Sequence, residues 1–271
     1  MKFIVALSLL LAVASAAPKR LVVPVKDAHV GKSRIISGDP ADPGQYPFQV
    51  INEFEMFLGT SFCGGALISS HWVLTAAHCA SGAYSHTVTL GTISSNGDDP
   101  NAVVVHTTSH IVHENYDSLY LWNDIALVDL VSDVQFTDLI QPISLGSRVV
   151  EPDAPVWVSG WGKTSDCTVS SNWVSPVLNF INLNTISNED CADVYGGSIV
   201  DSTLCCRGHP EHSTCSGDSG GPLFEYDSEE KRHHIGVVSF VHVAGCASGN
   251  PSGYGRTSSH ISWIQSHTGP L

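Results

Sequence analysis

Basic residues are scarce in this chain. Its 271 residues include 12 Lys and Arg against 26 Asp and Glu, a formal net charge of −14. That balance excludes a polyanion such as nucleic acid as the natural partner. The few cations are also unevenly placed. Lys2, Lys19, Arg20, Lys26, Lys32 and Arg34 lie in the first 34 residues, where Asp27 is the only acid. Residues 35–271 therefore carry six basic and 25 acidic side chains, a net of −19. Two readings of this stand side by side. One is a chain that offers trypsin-like enzymes few places to cut and works among other proteases, as in a gut lumen. The other is an acidic surface kept for solubility. Long apolar runs are lacking too. The longest, Phe3–Val13, is too short for a bilayer span, which needs ~20 residues, so no membrane association is expected. There is no usable Asn-x-Ser/Thr sequon, because Asn250-Pro251-Ser252 is spoiled by its proline. There is no His-Glu-x-x-His motif. His110 with His113 reads as a strand–loop pair, and Asp98 with Asp99 offers only two carboxylates for calcium. No metal and no cofactor is expected.

The N-terminus reads as a targeting segment. Lys2 supplies the positive charge, Phe3–Val13 the apolar stretch and Ala14-Ser15-Ala16 the small-residue cleavage site. Residues 1–16 are thus expected to be a signal peptide and the protein to be secreted. Residues 17–34 are basic and without strong periodicity, and they end at Ser33-Arg34-Ile35-Ile36. Export makes the eight cysteines, Cys63, Cys79, Cys167, Cys191, Cys205, Cys206, Cys215 and Cys246, disulfide candidates. Spacing alone does not choose among their pairings. From residue 35 onward, short apolar or alternating runs recur between Gly, Pro, Ser, Asn and Asp clusters. Phe48–Ile51, Val88–Leu90, Ile125–Leu130, Val156–Ser159, Val177–Leu183, Gly221–Tyr226 and Ile235–Phe240 are examples. They predict an all-β protein of one barrel or two. The polar stretch 141–153 is the best internal boundary, and Ser258–His267 has helical spacing.

Three segments carry chemistry. In Cys215-Ser216-Gly217-Asp218-Ser219-Gly220-Gly221-Pro222, glycines flank a serine. Such a turn leaves the serine Oγ approachable and can aim backbone N–H groups at one point, as acyl transfer requires. In Trp72-Val73-Leu74-Thr75-Ala76-Ala77-His78-Cys79, small alanines and a cysteine can hold His78 rigidly. In Asn123-Asp124-Ile125-Ala126-Leu127-Val128, Asp124 heads an apolar strand. His78 and Asp124 each read alone as ordinary structural residues. Together with the serine string they acquire a function.

Together the three segments resemble the chymotrypsin-like serine proteases, over nearly all of the chain from Ile35, with the order His…Asp…Ser. The resemblance implies two six-stranded antiparallel β-barrels with a C-terminal α-helix in residues 35–271, and residues 17–34 as an activation propeptide. It implies that Ser219 is the nucleophile, His78 the general base and Asp124 the orienting carboxylate. The N–H groups of Gly217 and Ser219 would form the oxyanion hole, and Ser239 would support the aspartate. Three disulfides follow from it: Cys63–Cys79, Cys191–Cys205 and Cys215–Cys246. A fourth, Cys167–Cys206, is expected from the two cysteines left, with Cys206–Cys191 as the competing pairing. Cleavage after Arg34 would free the Ile35 amine to pair with Asp218. A monomer is expected, with protein substrates, a trypsin-like activating protease and protein protease inhibitors as partners.

The same resemblance places Ser213 at the base of the specificity pocket and Val241 and Ser252 on its walls. A serine base gives no counter-charge for Lys or Arg. A valine wall narrows the slot, which implies cleavage after small or medium apolar residues. Preference for Leu or aromatic residues is the alternative, and a catalytically silent homologue acting as a binding cofactor is the rival from another class. Thr107–Glu114, Asn188–Gly196 and Ala244-Gly245-Cys246 resemble arthropod digestive proteases of the brachyurin type.

Overall fold

Alternating apolar residues in the first half of the chain become a curled antiparallel sheet. The computed structural model describes residues 21–27, 38–162, 174–209 and 213–271. The expected signal peptide, Arg34, Ile35 and Cys167 lie outside them. Seven strands run in the spatial order Val103–Thr107, Ser85–Leu90, Gln49–Met56, Gly59–Leu67, Trp72–Thr75, Ala126–Asp129 and His110–Val112. Val50, Leu67, Val73, Val88, Leu90 and Val128 fill the concave side. Burying such β-branched and leucine side chains is worth ~1.5–3 kcal/mol each.

The second half closes on itself. Pro155–Gly160, Asn179–Ile186, Thr203–Cys206, Pro222–Tyr226, Arg232–His242 and Ser252–Arg256 form a six-stranded barrel. Closure occurs because Arg232–His242 pairs with both Pro222–Tyr226 and Ser252–Arg256. Val156, Val158, Ile181, Leu183, Leu223 and Val238 pack inside. The two-barrel expectation is therefore met by one closed barrel and one half-barrel. Residues 141–153 run from one sheet to the other: Ile143 N donates to Leu67 O at 2.9 Å and Gly146 N to His234 O at 2.8 Å. The expected C-terminal helix spans Thr257–Thr268 and buries Ile264. Among the described residues no helix is long and apolar enough to cross a membrane.

Three disulfides join Cys63 to Cys79, Cys191 to Cys205 and Cys215 to Cys246. Among the described residues Cys206 is buried and has no disulfide partner. Its strand places it inside the closed barrel beside Tyr254 and Leu204, in a close-packed apolar layer. Burial there pushes the Cys206 thiol far above its ordinary pKa, so it is an inert core side chain rather than a nucleophile. Its proposed partner, Cys167, lies outside the described residues.

Candidate active site

The strand Trp72–Thr75 pairs antiparallel with Ala126–Asp129, with Thr75 opposite Ala126. That register brings the residue ahead of one strand beside the residue after the other. His78 sits on a short helical turn, Ala77–Ala80, pinned by the Cys63–Cys79 disulfide. Ala76 and Ala77 are fully buried beneath it, and larger side chains would push the turn outward. Asp124 Oδ1 accepts from the His78 backbone N–H at 2.9 Å, and Oδ2 lies 2.7 Å from His78 Nδ1. An ionised carboxylate only accepts, so Nδ1 carries the proton and Nε2 keeps its lone pair. Ser239, from the closed barrel, donates its Oγ–H to Asp124 Oδ2 at 2.5 Å. Burial alone would raise the Asp124 pKa. The His78 charge and these hydrogen bonds outweigh it, so its carboxyl is held below the ordinary value.

The serine loop is anchored on both sheets. Gly64 N donates to Ser219 O at 2.7 Å, and Gly220 N to Val238 O at 2.9 Å. Gly217 has φ +107°, which side chains disfavour, and a Cβ there would lie 2.9 Å from Trp161 O. The Ser219 Oγ and His78 Nε2 are both buried, and neither has a hydrogen-bond partner. The Gly217 and Ser219 N–H groups make no backbone bond among the described residues.

A buried serine hydroxyl, a base with its orienting carboxylate and two N–H groups without a backbone partner are the parts that acyl transfer needs, and among the described residues no hydrogen bond joins Ser219 Oγ to His78 Nε2. The Trypsin family model matches residues 35–264.

The chain belongs to the trypsin family.

Brachyurin of Leptuca pugilator is 37% identical, over 87% of this chain and 99% of its own length. Collagenase of Hypoderma lineatum is 37% identical over 99% of both chains. Chymotrypsin-2 of Vespa crabro is 34% identical over 85% of this chain and 98% of its own. The solved structure of HL collagenase superposes with a TM-score of 0.77 at 36% identity, covering 87% of this chain and 99% of that one. The protein is a chymotrypsin-like serine endopeptidase with the chymotrypsin fold.

Asp218 of the protease is wholly buried, and two backbone groups donate to it: Gly162 N at 2.8 Å and Cys215 N at 2.9 Å. A Cβ on Gly160 or Gly162 would meet its carboxylate oxygens at 2.1 Å, so both glycines shape its cradle. Burial outweighs the two hydrogen bonds and pushes its pKa up to about 7. The donor atoms of Cys63, His78 and Cys79 lie within 4.8 Å of one another. Both sulfurs are spent in a disulfide, which leaves no metal-binding thiolate.

The expected pocket residues are all buried. Ser213 Oγ donates to Thr214 O at 3.2 Å. Ser252 Oγ is 2.9 Å from Tyr254 Oη, so its hydroxyl is engaged with a neighbour two residues on. Val241 joins an apolar cluster with Cys215, Val238 and Cys246. Sequence reasoning missed the residues that fill this region. Val22–Pro24 forms an antiparallel ladder with Phe240–His242, and Val25, fully buried, packs in the same cluster as Val241. The signal was present in the apolar run Leu21-Val22-Val23-Pro24-Val25, set inside an otherwise basic stretch.

Proposed function

We propose that this protein is a secreted digestive serine endopeptidase, made as a zymogen and activated by cleavage after Arg34. The observation that carries the catalytic assignment is the His78–Asp124–Ser239 hydrogen-bond chain beside the Gly217–Ser219 loop. In this reading His78 Nε2 takes the proton of Ser219 Oγ as the oxygen attacks the substrate carbonyl. The resulting oxyanion is held by the N–H groups of Gly217 and Ser219. His78 then returns the proton to the leaving amine as the peptide bond breaks, leaving an ester on Ser219. A water deprotonated by His78 attacks that ester and frees the acid product. Asp124 holds the imidazole tautomer and stabilises its cation. The freed Ile35 amine would pair with Asp218 and hold the loop in its working shape. Breaking such a buried pair typically costs 3–5 kcal/mol.

The proposed substrates are peptide bonds after small or medium apolar residues. Support comes from the neutral Ser213 and the Val241 side chain in the pocket cluster. Residues 1–16 would direct export, and an enzyme of trypsin-like preference would supply the activating cut, because a neutral pocket does not take Arg34.

The test is labelling by a fluorophosphonate probe before and after cleavage at Arg34, followed by profiling on a peptide library. Labelling is expected after cleavage only, and to be lost in Ser219→Ala. An uncut Arg34→Gln protein with full activity would overturn the activation reading. A cleaved protein that neither labels nor hydrolyses would be the silent homologue instead.

A further inference from the structure

We propose that residues 21–27 are a built-in inhibitor of this protease, lying along its substrate channel with Val25 in the specificity pocket. The inference rests on the active-site reading above and adds its regulation.

Strand addition is how a peptide gains main-chain hydrogen bonds from an exposed sheet edge, while alternate side chains enter pockets. The edge here is Phe240–His242, which follows directly on Ser239 of the hydrogen-bond chain. Val23 lies opposite Val241, Val22 opposite His242 and Pro24 opposite Phe240. The ladder continues outward, with Val243 N donating to Leu21 O at 2.9 Å. Alternation then sorts the side chains. Val22 packs with Leu121, Tyr195 and Phe240. Val25 is fully buried in one cluster with Cys215, Val238, Cys246 and Val241, the last an expected wall of the pocket. The Val25 side chain fits the narrow slot that a valine wall leaves.

The segment is held as an inhibitor and not as a substrate. The Val25 carbonyl accepts from Ser216 Oγ at 3.1 Å. It makes no hydrogen bond to the Gly217 or Ser219 N–H groups among the described residues. After Pro24 the chain leaves the extended form and turns through Val25–Asp27 as a 3₁₀ turn. The Val25–Lys26 bond is therefore not presented to Ser219, whose Oγ is buried without a partner.

Two sequence features set the lifetime of this inhibition. Residues 17–34 contain no cysteine, so after cleavage at Arg34 nothing covalent retains the segment. They also carry five basic residues and one acid, against a net of −19 on residues 35–271. Attraction between the two parts strengthens the hold at low salt and fades as salt screens it. The segment should thus guard the cleft before activation and act as a weak, dissociable product inhibitor after it.

The experiment uses the enzyme cleaved at Arg34 and freed of its activator. The probe is the capped heptapeptide of residues 21–27, Leu-Val-Val-Pro-Val-Lys-Asp. Competitive inhibition of a small Ala- or Val-directed chromogenic substrate is expected, with KM rising and kcat unchanged. The heptapeptide with Val25→Asp should inhibit roughly 100-fold less well, because its carboxylate would lie unpaired in a dry pocket. The heptapeptide is net neutral, with Lys26 against Asp27, so its inhibition should vary little with salt, whereas the capped peptide of residues 17–34, with five basic residues and one acid, should inhibit better at low salt. Calorimetry of the heptapeptide on the cleaved protein with Ser219 intact separates this idea from the catalytic one: a cleaved protein that binds the peptide yet neither labels nor hydrolyses fails the first reading and keeps the second. Absence of competition, equal inhibition by the Val25→Asp peptide, or rapid cleavage at Val25–Lys26 would each overturn the proposal.

Discussion

Asp218 shows how one buried carboxylate sets the pH behaviour of the uncut chain. It keeps its proton up to about pH 7 in the fold, whereas in the unfolded chain it releases it near the ordinary carboxylate value of 3.8. Between those two values the folded state binds the extra proton, so raising pH favours unfolding. The uncut chain should lose stability on the order of 4 kcal/mol between pH 4 and pH 7 from this group. Urea midpoints measured across that range should fall as pH rises. After cleavage at Arg34, pairing with a cation should lower the Asp218 pKa and remove the fall; an identical pH profile in cut and uncut protein would contradict the Ile35 pairing. The candidate triad was named from three separate strings, around His78, Asp124 and Ser219, because that chemistry demands particular neighbours. The burial of Cys206 inside the closed barrel was not legible, since cysteine count and compartment say nothing about which strand face a side chain takes. Its face is decided by the pairing of Thr203–Cys206 with Ser252–Arg256 in the closed barrel.

At the scale of elements, the strand Arg232–His242 does most of the assembly. It closes the barrel, sends Ser239 to Asp124, carries Val241, the proposed pocket wall, and offers its edge to the N-terminal segment. Its apolar run was readable from Ile235 to Phe240; its use as a docking edge was not, because edge status depends on which strands lie beside it. Replacing Val241 by glycine removes a pocket wall and leaves the ladder. The ratio of kcat/KM on Phe against Val substrates should rise, by about 10-fold or more, since pockets discriminate at ~1–3 kcal/mol per methylene. The same substitution should weaken the heptapeptide, whose Val25 would lose its closest wall. An unchanged Phe/Val ratio would show that Val241 does not gate the pocket. Strands Trp72–Thr75 and Ser252–Arg256 were not foreseen. The first is short, and the second contains two glycines that break the alternation a strand reading needs.

Over the whole molecule, the scarcity of cations acquires a structural side. Each described basic residue of the body is engaged. Arg148 pairs with Glu225 and Arg207 with Asp153, while Lys231 lies 2.7 Å from Glu229. Arg232 lies over the Tyr46 and Tyr226 rings, and Arg256 donates to Thr203 O at 2.7 Å. Cuts after the packed Arg232 and Arg256 require local opening, whereas the exposed pairs of Arg148, Arg207 and Lys231 add little protection and the small number of sites carries the expectation. Trypsin should therefore remove residues 17–34 quickly and leave residues 35–271 intact over a far longer incubation, as followed by mass spectrometry. Rapid fragmentation of the body would count against a protein suited to a protease-rich fluid.

The sequence by itself determined the reaction class and the direction of charge, which rest on local strings and on composition, and its family resemblance named candidate acting residues and three cysteine pairs that the fold joins. Tertiary structure decided what depends on who lies next to whom. It closed one sheet and left the other a half-barrel, buried Cys206 inside the closed barrel, and tied Ser252 to Tyr254. Above all it turned Val22–Pro24, in a basic leader, into a strand on the Phe240–His242 edge. That strand forms because an unpaired edge and an apolar slot both lower their free energy when covered, and only the folded barrel creates them.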